Sequence, residues 1–318
     1  MNIADIEKTA MIGAGTMGSG MGLCFALTGY DVILHDISTE HLNQALKRID
    51  NSQEVLLRES IIDSSQAEHV KGRISATTDL AEALEGVQFV LEAVPEDLEL
   101  KQQLFKDLEA RCKPEVILAT NTSGLSITEI ASVCAHPERI GGMHWVNPPE
   151  LVPLVEVIRG KNTSDSTVNL IYDLALKLGK MPVKINKEAP GIGLNRLQFA
   201  VLREAFHMIT EGIVSAKDLD RIMKYGLGFR YPWIGPLETA DLGGLDLFYN
   251  ISSYLFKELS NAEMPPQSFR DLIERGHLGI KTGQGFFEYT PEVRDEILRK
   301  RNIYFVRQWK LINEVKKA

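Results

Sequence analysis

The chain has 318 residues, 44% hydrophobic and 25% charged, with a formal net charge of −8 at neutral pH. Such a length predicts two domains, and the composition is that of a globular protein rather than a disordered or fibrous one. The acidic balance excludes a broad nucleic-acid face, and no apolar run reaches the ~20 residues that span a bilayer, so neither nucleic acid nor membrane is an expected partner.

The opening Met-Asn-Ile-Ala-Asp-Ile-Glu-Lys has neither a basic leader nor an apolar signal core, which leads to the expectation of a cytoplasmic protein. Cys24, Cys112 and Cys134 are odd in number and form no Cys-x-x-Cys pair. No disulfide framework and no metal site is expected, in keeping with a reducing compartment.

In chain order, short apolar runs recur at Thr9–Ile12, Asp31–His35, Val87–Val94, Glu115–Ala119, Arg139–His144, Leu154–Ile158 and Pro182–Ile185. Helical patterns separate many of them. In Leu98–Cys112, for example, Leu100, Leu104, Phe105 and Leu108 share one face. Strands alternating with helices predict parallel pairing with right-handed crossovers, hence an α/β, doubly wound Rossmann domain over residues 1–187.

The pattern changes after Lys187. Asn195–Gly212 reads as a long, largely buried helix, Ser215-Ala-Lys-Asp218 as a capping box, and Leu237–Leu259 and Gln267–Arg275 as further helices. Residues 188–318 are expected to form an all-helical C-terminal domain. Its last amphipathic stretch carries Phe305, Trp309 and Ile312 at i, i+4, i+7, a face for packing on its own domain or a sister subunit.

Gly13-Ala-Gly15-Thr16-Met17-Gly18 matches G-x-G-x-x-G, a weak signal alone. Here an apolar strand precedes it and a helical run follows. In that setting Gly13 permits the tight turn, Gly15 lets a pyrophosphate approach the backbone, and Gly18 lets helix and strand pack closely. Asp36, 18 residues beyond Gly18, closes the next strand. Its carboxylate suits the adenosine ribose hydroxyls and repels an added phosphate, and no Arg follows it closely; the expected cofactor is NAD.

Oxidation of an alcohol by NAD needs a base for the hydroxyl proton, and histidine suits that task. Of the seven histidines, His144 is best placed, closing an apolar strand and entering Trp145-Val-Asn147-Pro. Glu156 stands inside the apolar Leu154-Val-Glu-Val-Ile158. A buried acid needs a partner, so Glu156 is either half of a structural ion pair or the orienter of His144.

Asn121-Thr-Ser123-Gly, His144-Trp-Val-Asn147-Pro, Leu154-Val-Glu156-Val-Ile, Pro190-Gly-Ile-Gly-Leu-Asn195-Arg and Lys281-Thr-Gly-Gln-Gly-Phe, taken in this order, resemble the motif series of the L-3-hydroxyacyl-CoA dehydrogenase family. The resemblance implies NAD-dependent, reversible oxidation of a 3-hydroxyacyl-CoA in fatty acid metabolism, by a homodimer formed through the C-terminal domain. It implies His144 as base, Glu156 as its orienter, and Ser123 and Asn195 as the residues that hold the reacting oxygen. Ala93, Glu96, Lys101, Ser123 and Asn147 match cofactor-contacting or site-lining positions, beside Gly13, Gly15, Thr16, Met17, Gly18 and Asp36.

Two departures concern the substrate. Family members acting on the thioester commonly carry Met-Lys where this chain has Val152-Pro153, and lysines where 51–62 has only Arg58. The segment Gly228–Pro236 is similar to that of the lambda-crystallin and L-gulonate 3-dehydrogenase branch, whereas Gly243-Gly-Leu-Asp246 resembles the acyl-CoA branch. A free, polar 3-hydroxy acid such as gulonate or carnitine is therefore the alternative substrate, with Arg230 either its carboxylate partner or a surface arginine. Trp145, Tyr231 and Trp233 are either core aromatics or a cage for a quaternary ammonium. A non-catalytic, crystallin-like structural protein is the remaining alternative.

Overall fold

Runs of β-branched and apolar residues at Lys8–Ile12 (β1), Asp31–His35 (β2), Ile74–Thr77 (β3), Phe89–Glu92 (β4), Ile117–Thr120 (β5), Ile140–Trp145 (β6), Leu154–Ile158 (β7) and Met181–Ile185 (β8) form one sheet in the computed structural model, which describes residues 2–315. The strand order is β3-β2-β1-β4-β5-β6-β7-β8. Every pairing is parallel except β6–β7, which is antiparallel and sets His144 opposite Glu156. Parallel pairing is expected where a helix separates two strands; residues 146–153 join β6 to β7 without a crossover helix, so there the chain turns back.

Because side chains alternate across a strand, the sheet buries two apolar layers. On one side Met11, Val32, Leu34, Phe89 and Trp145 pack with Phe25 of helix α1 (Thr16–Leu27). On the other, Ile12, Val90 and Leu118 pack with Phe105 and Leu108 of the helix Leu98–Arg111. The order reverses between β1 and β4, so the carboxyl ends of these two strands open the crevice where ligands of such sheets bind. Helix α2 (Thr39–Arg58) follows β2 and is started by Ser38, whose hydroxyl accepts from His41 N.

Residues up to Asn195, with Phe305–Asn313, make one compact unit, and Arg196–Tyr304 lie in the other. The second unit is helical apart from isolated bridges at Gly279, Gln284 and Glu288. Ser215 caps the helix Ala216–Ile222 as its capping-box pattern predicts. The helical pattern of Leu237–Leu259 is realised as two helices, Pro236–Gly243 and Leu245–Leu255. They break at Gly244, whose φ of +96° lies where only glycine sits comfortably.

The helix Leu194–Thr210 is present but holds no buried residue: Leu197 and Phe199 are 66% and 62% exposed. Val201 is exposed as well, whereas farther along the helix Phe206 is half-buried and packs on Phe269 and Phe286. In the last helix, Pro291–Val315, Val306 is fully buried and joins the first unit's core, whereas Phe305 is 38% exposed. Among the described residues no helix is long and apolar enough to cross a membrane, and no cluster of His, Cys, Asp or Glu could hold a metal.

Candidate active site

The loop after β1 is built for close backbone approach. Gly13 has φ +102°, and a Cβ there would stand 2.6 Å from Ala93 O. A Cβ on Gly18 would meet Gly13 O at 1.8 Å, so the first turn of α1 rests directly on the loop. Gly15, by contrast, has nothing within 4 Å of that position. It heads α1 without a side-chain cap, leaving the first helical amides, from Thr16 and Met17 onward, facing open space. Free amides at the positive end of a helix, beside a surface with no Cβ, fit a pyrophosphate.

Asp36 completes this end of the crevice. Its Oδ2 accepts from Ala14 N (3.0 Å), and its Oδ1 accepts from Ser38 N (3.1 Å) and lies 3.0 Å from His41 Nδ1. Arg48, two turns beyond His41 on α2, reaches back to Ala14 O at 3.4 Å and donates to Gln44. The sequence shows no arginine close behind Asp36, yet the helix returns one to the loop.

The second half of the site lies where β6 and β7 pair. His144 Nδ1 is 2.7 Å from Glu156 Oε2, with both residues buried. The other Glu156 oxygen accepts from the amides of Gly193 (3.0 Å) and Leu194 (2.8 Å). Burial pushes the Glu156 carboxyl up, but the hydrogen bonds from His144 and Leu194 outweigh it, and the group titrates below the ordinary carboxylate range. Asn195 follows directly, and its side-chain amide donates to Ser123 O at 3.1 Å. Two hydrogen-bonded pairs, His144–Glu156 and Asn195–Ser123, are thus tied together through the backbone of residues 193–195, whose first two amides Glu156 holds.

Ser123 is set from its other side by Glu96, whose Oε1 accepts from Thr122 Oγ1 (2.6 Å), Ser123 N (2.9 Å) and Gly124 N (3.0 Å). Burial raises Glu96, but these donors and the Lys101 ammonium prevail and hold it below its ordinary value. Lys101 is itself buried. Its Nζ donates to Glu92 at 2.6 Å and lies 3.5 Å from Glu96. Glu92, fully buried at the end of β4, also accepts from Thr120 Oγ1 (2.7 Å) and Val94 N (2.6 Å). Ala93, the next residue, donates to Ile12 O.

The loop between β6 and β7 begins at exposed Asn147, joined to Pro148 by a cis peptide. Buried Lys180 holds its far part, donating to the carbonyls of Pro149 and Val152 (3.2 Å) and sitting 5.0 Å above the Trp145 ring. Trp145 is a core residue in contact with Phe25 and belongs to no exposed cage. Arg230 ends a short helical turn in the second unit and is exposed there.

Sequence reasoning singled out Glu96 and Lys101 but missed Glu92, Asn121, which accepts from Trp145 N, and Lys180. For Glu92 the signal existed: like Glu156, it is an acid in an otherwise apolar strand. Lys180 gave none, since nothing in Gly179-Lys-Met distinguishes it from a solvated lysine.

Two family models match, "3-hydroxyacyl-CoA dehydrogenase, NAD binding domain" over residues 8–189 and "3-hydroxyacyl-CoA dehydrogenase, C-terminal domain" over 191–289. A probable 3-hydroxybutyryl-CoA dehydrogenase of Deinococcus radiodurans is 39% identical over 89% of this chain and 100% of its own. Lambda-crystallin of Oryctolagus cuniculus is 40% identical over 73% of each chain. The solved structure of 5-formyl-3-hydroxy-2-methylpyridine 4-carboxylic acid 5-dehydrogenase, described as an NAD+-dependent dismutase, superposes with a TM-score of 0.91 at 33% identity. That match covers 97% of this chain and 99% of that one.

Proposed function

We infer the chemistry from a premise that these matches supply: the chain belongs to the 3-hydroxyacyl-CoA dehydrogenase family and is an NAD-dependent oxidoreductase. We propose that it interconverts a 3-hydroxyacyl-CoA and the 3-oxoacyl-CoA. The observation that carries this reading is the buried His144–Glu156 contact of 2.7 Å with both Glu156 oxygens occupied.

Glu156 is the acceptor for the Nδ1 proton of His144, so Nε2 carries the lone pair. Nε2 takes the proton of the C3 hydroxyl, and the adjacent carboxylate stabilises the imidazolium that results. In reduction the same nitrogen returns it. Ser123 Oγ and the Asn195 amide hold the reacting oxygen, and Glu96 keeps the Ser123 loop in register. When bound, NAD supplies the hydride acceptor. The glycine loop, Thr16 and Met17 hold its pyrophosphate, and Asp36 its adenosine ribose. Ala93, Glu96 and Asn147 line its path, and Lys101 acts from beneath by fixing Glu96.

Exposed Leu197, Phe199 and Val201 on the helix Leu194–Thr210 support a homodimer through the C-terminal domain. Three free cysteines suit the cytoplasm.

A second reading, a free polar 3-hydroxy acid, rests on Arg58, the one cation in 51–62. It pairs with Glu59 at 3.4 Å, while Ser52 donates to Glu150, leaving that stretch no spare positive charge for a nucleotide phosphate. A panel of 3-hydroxybutyryl-CoA, 3-hydroxybutyrate, L-gulonate and carnitine with NAD tests both readings. Saturable turnover of the thioester alone supports the first, and turnover of the free acids alone replaces it with the second.

A further inference from the structure

Asp36 sits in a nest that would suit any anion. Ala14 N, Ser38 N and His41 Nδ1 all point at its carboxylate, at 3.0, 3.1 and 3.0 Å. His41, Gln44 and Arg48 form one stripe of α2, spaced i, i+3, i+7, on the side that faces the glycine loop. Arg48 makes no ion pair among the described residues. Its guanidinium is spent on a carbonyl and an amide oxygen, weak partners for a cation.

We propose that His41 and Arg48, with the amides of Ala14 and Ser38, form a latent phosphate subsite beside the adenosine ribose. Asp36 occupies and neutralises that subsite, and so by itself excludes a cofactor carrying a 2′-phosphate. A carboxylate of about four acceptor positions spends three on these donors and keeps one for the ribose. Removing it frees three N–H donors and leaves an arginine within one residue's span of them. A 2′-phosphate carries about −1.5 to −2 charge near neutrality and has three acceptor oxygens, which matches that donor set. Selectivity would thus be a single-residue lock on a site already built, and His41 and Arg48 would be specificity-determining residues.

The test reads cofactor binding directly and is independent of which substrate the enzyme takes. NADH and NADPH dissociation constants are measured by fluorescence titration for the wild type, Asp36→Ala, Asp36→Ala/Arg48→Ala and Asp36→Ala/His41→Ala, with circular dichroism confirming the fold. Asp36→Ala should tighten NADPH by at least about tenfold while weakening NADH, and each added substitution should return about threefold to fivefold of the NADPH gain, with NADH unmoved. Should Asp36→Ala not fold, Asp36→Ser replaces it in every comparison. The proposal is overturned if NADPH gains nothing when Asp36 is removed, or if the gain persists undiminished without Arg48 and His41.

Discussion

Replacing Glu156 with glutamine keeps its volume but reverses what His144 sees. In the wild type one oxygen accepts from Gly193 N and Leu194 N, and the other faces His144 Nδ1 at 2.7 Å. Glutamine must turn its single oxygen toward the two backbone amides, because the opposite orientation sets NH2 against two N–H donors and forfeits hydrogen bonds worth about 1 kcal/mol each. Its NH2 group then meets His144 and favours the tautomer protonated on Nε2, which cannot accept the substrate proton. A wrong-tautomer histidine elsewhere costs about 10⁴ in kcat, so a loss of about 10³ to 10⁴, roughly 4–5.5 kcal/mol of barrier, is expected here. NADH affinity should stay close to wild type, and the urea midpoint at neutral pH should fall only by the stability that ionised Glu156 lends. Glu156→Ala is the contrast: it strands three donors, two of them backbone, at about 1–3 kcal/mol each, and should damage folding as well as turnover. The reasoning fails if purified Glu156→Gln keeps kcat within tenfold of wild type in a steady-state NADH assay.

The glycine loop separates fold from binding. Gly15→Ala meets no protein atom within 4 Å at a φ of −71°, so its thermal midpoint should be unchanged while NADH affinity drops at least about tenfold. Gly18→Ala collides with Gly13 O and should lower stability itself, checked by the same melts and titrations. Lys101→Met leaves Glu92, which burial already pushes upward, without its cation, and should cost about 3–5 kcal/mol in urea unfolding. Glu92→Gln added to it should recover much of that loss. Because Glu156 titrates below its ordinary value of 4.5 in the folded chain, the unfolded state takes up the proton first as pH falls. The stability it lends is therefore complete above about pH 5 and lost as pH falls through the lowered native value. Glu156→Gln should flatten that acid limb in unfolding curves at pH 7 and pH 4.

Much of the first unit could be read in advance because its signals are local. Apolar runs gave seven of the eight strands, and Gly13, Gly15 and Gly18 needed only their flanking strand and helix. Ile74–Thr77 escaped because an edge strand with no buried residue carries no apolar run. Periodicity marks a helix's apolar side but not what covers it: the Asn195–Gly212 pattern suits a largely buried helix, yet Leu197, Phe199 and Val201 are exposed while Phe206 packs on Phe269 and Phe286. Pairing direction is not local either, and the His144–Glu156 contact exists only because β6 and β7 run antiparallel. At the site, residue type pointed to His144 and Glu156, whereas the place of Arg48 beside the glycine loop depends on its returning across two turns of helix.

The central claim is that His144, oriented by Glu156, is the base of an NAD-dependent 3-hydroxy oxidation. The most direct test compares wild type with His144→Gln for NADH formation from 3-hydroxybutyryl-CoA and, in the same samples, NADH binding. The account predicts saturable turnover in the wild type and a loss of at least about 10³-fold in His144→Gln with NADH affinity intact. Turnover that survives in His144→Gln, or a wild type that binds NADH yet oxidises no 3-hydroxy substrate, would contradict it.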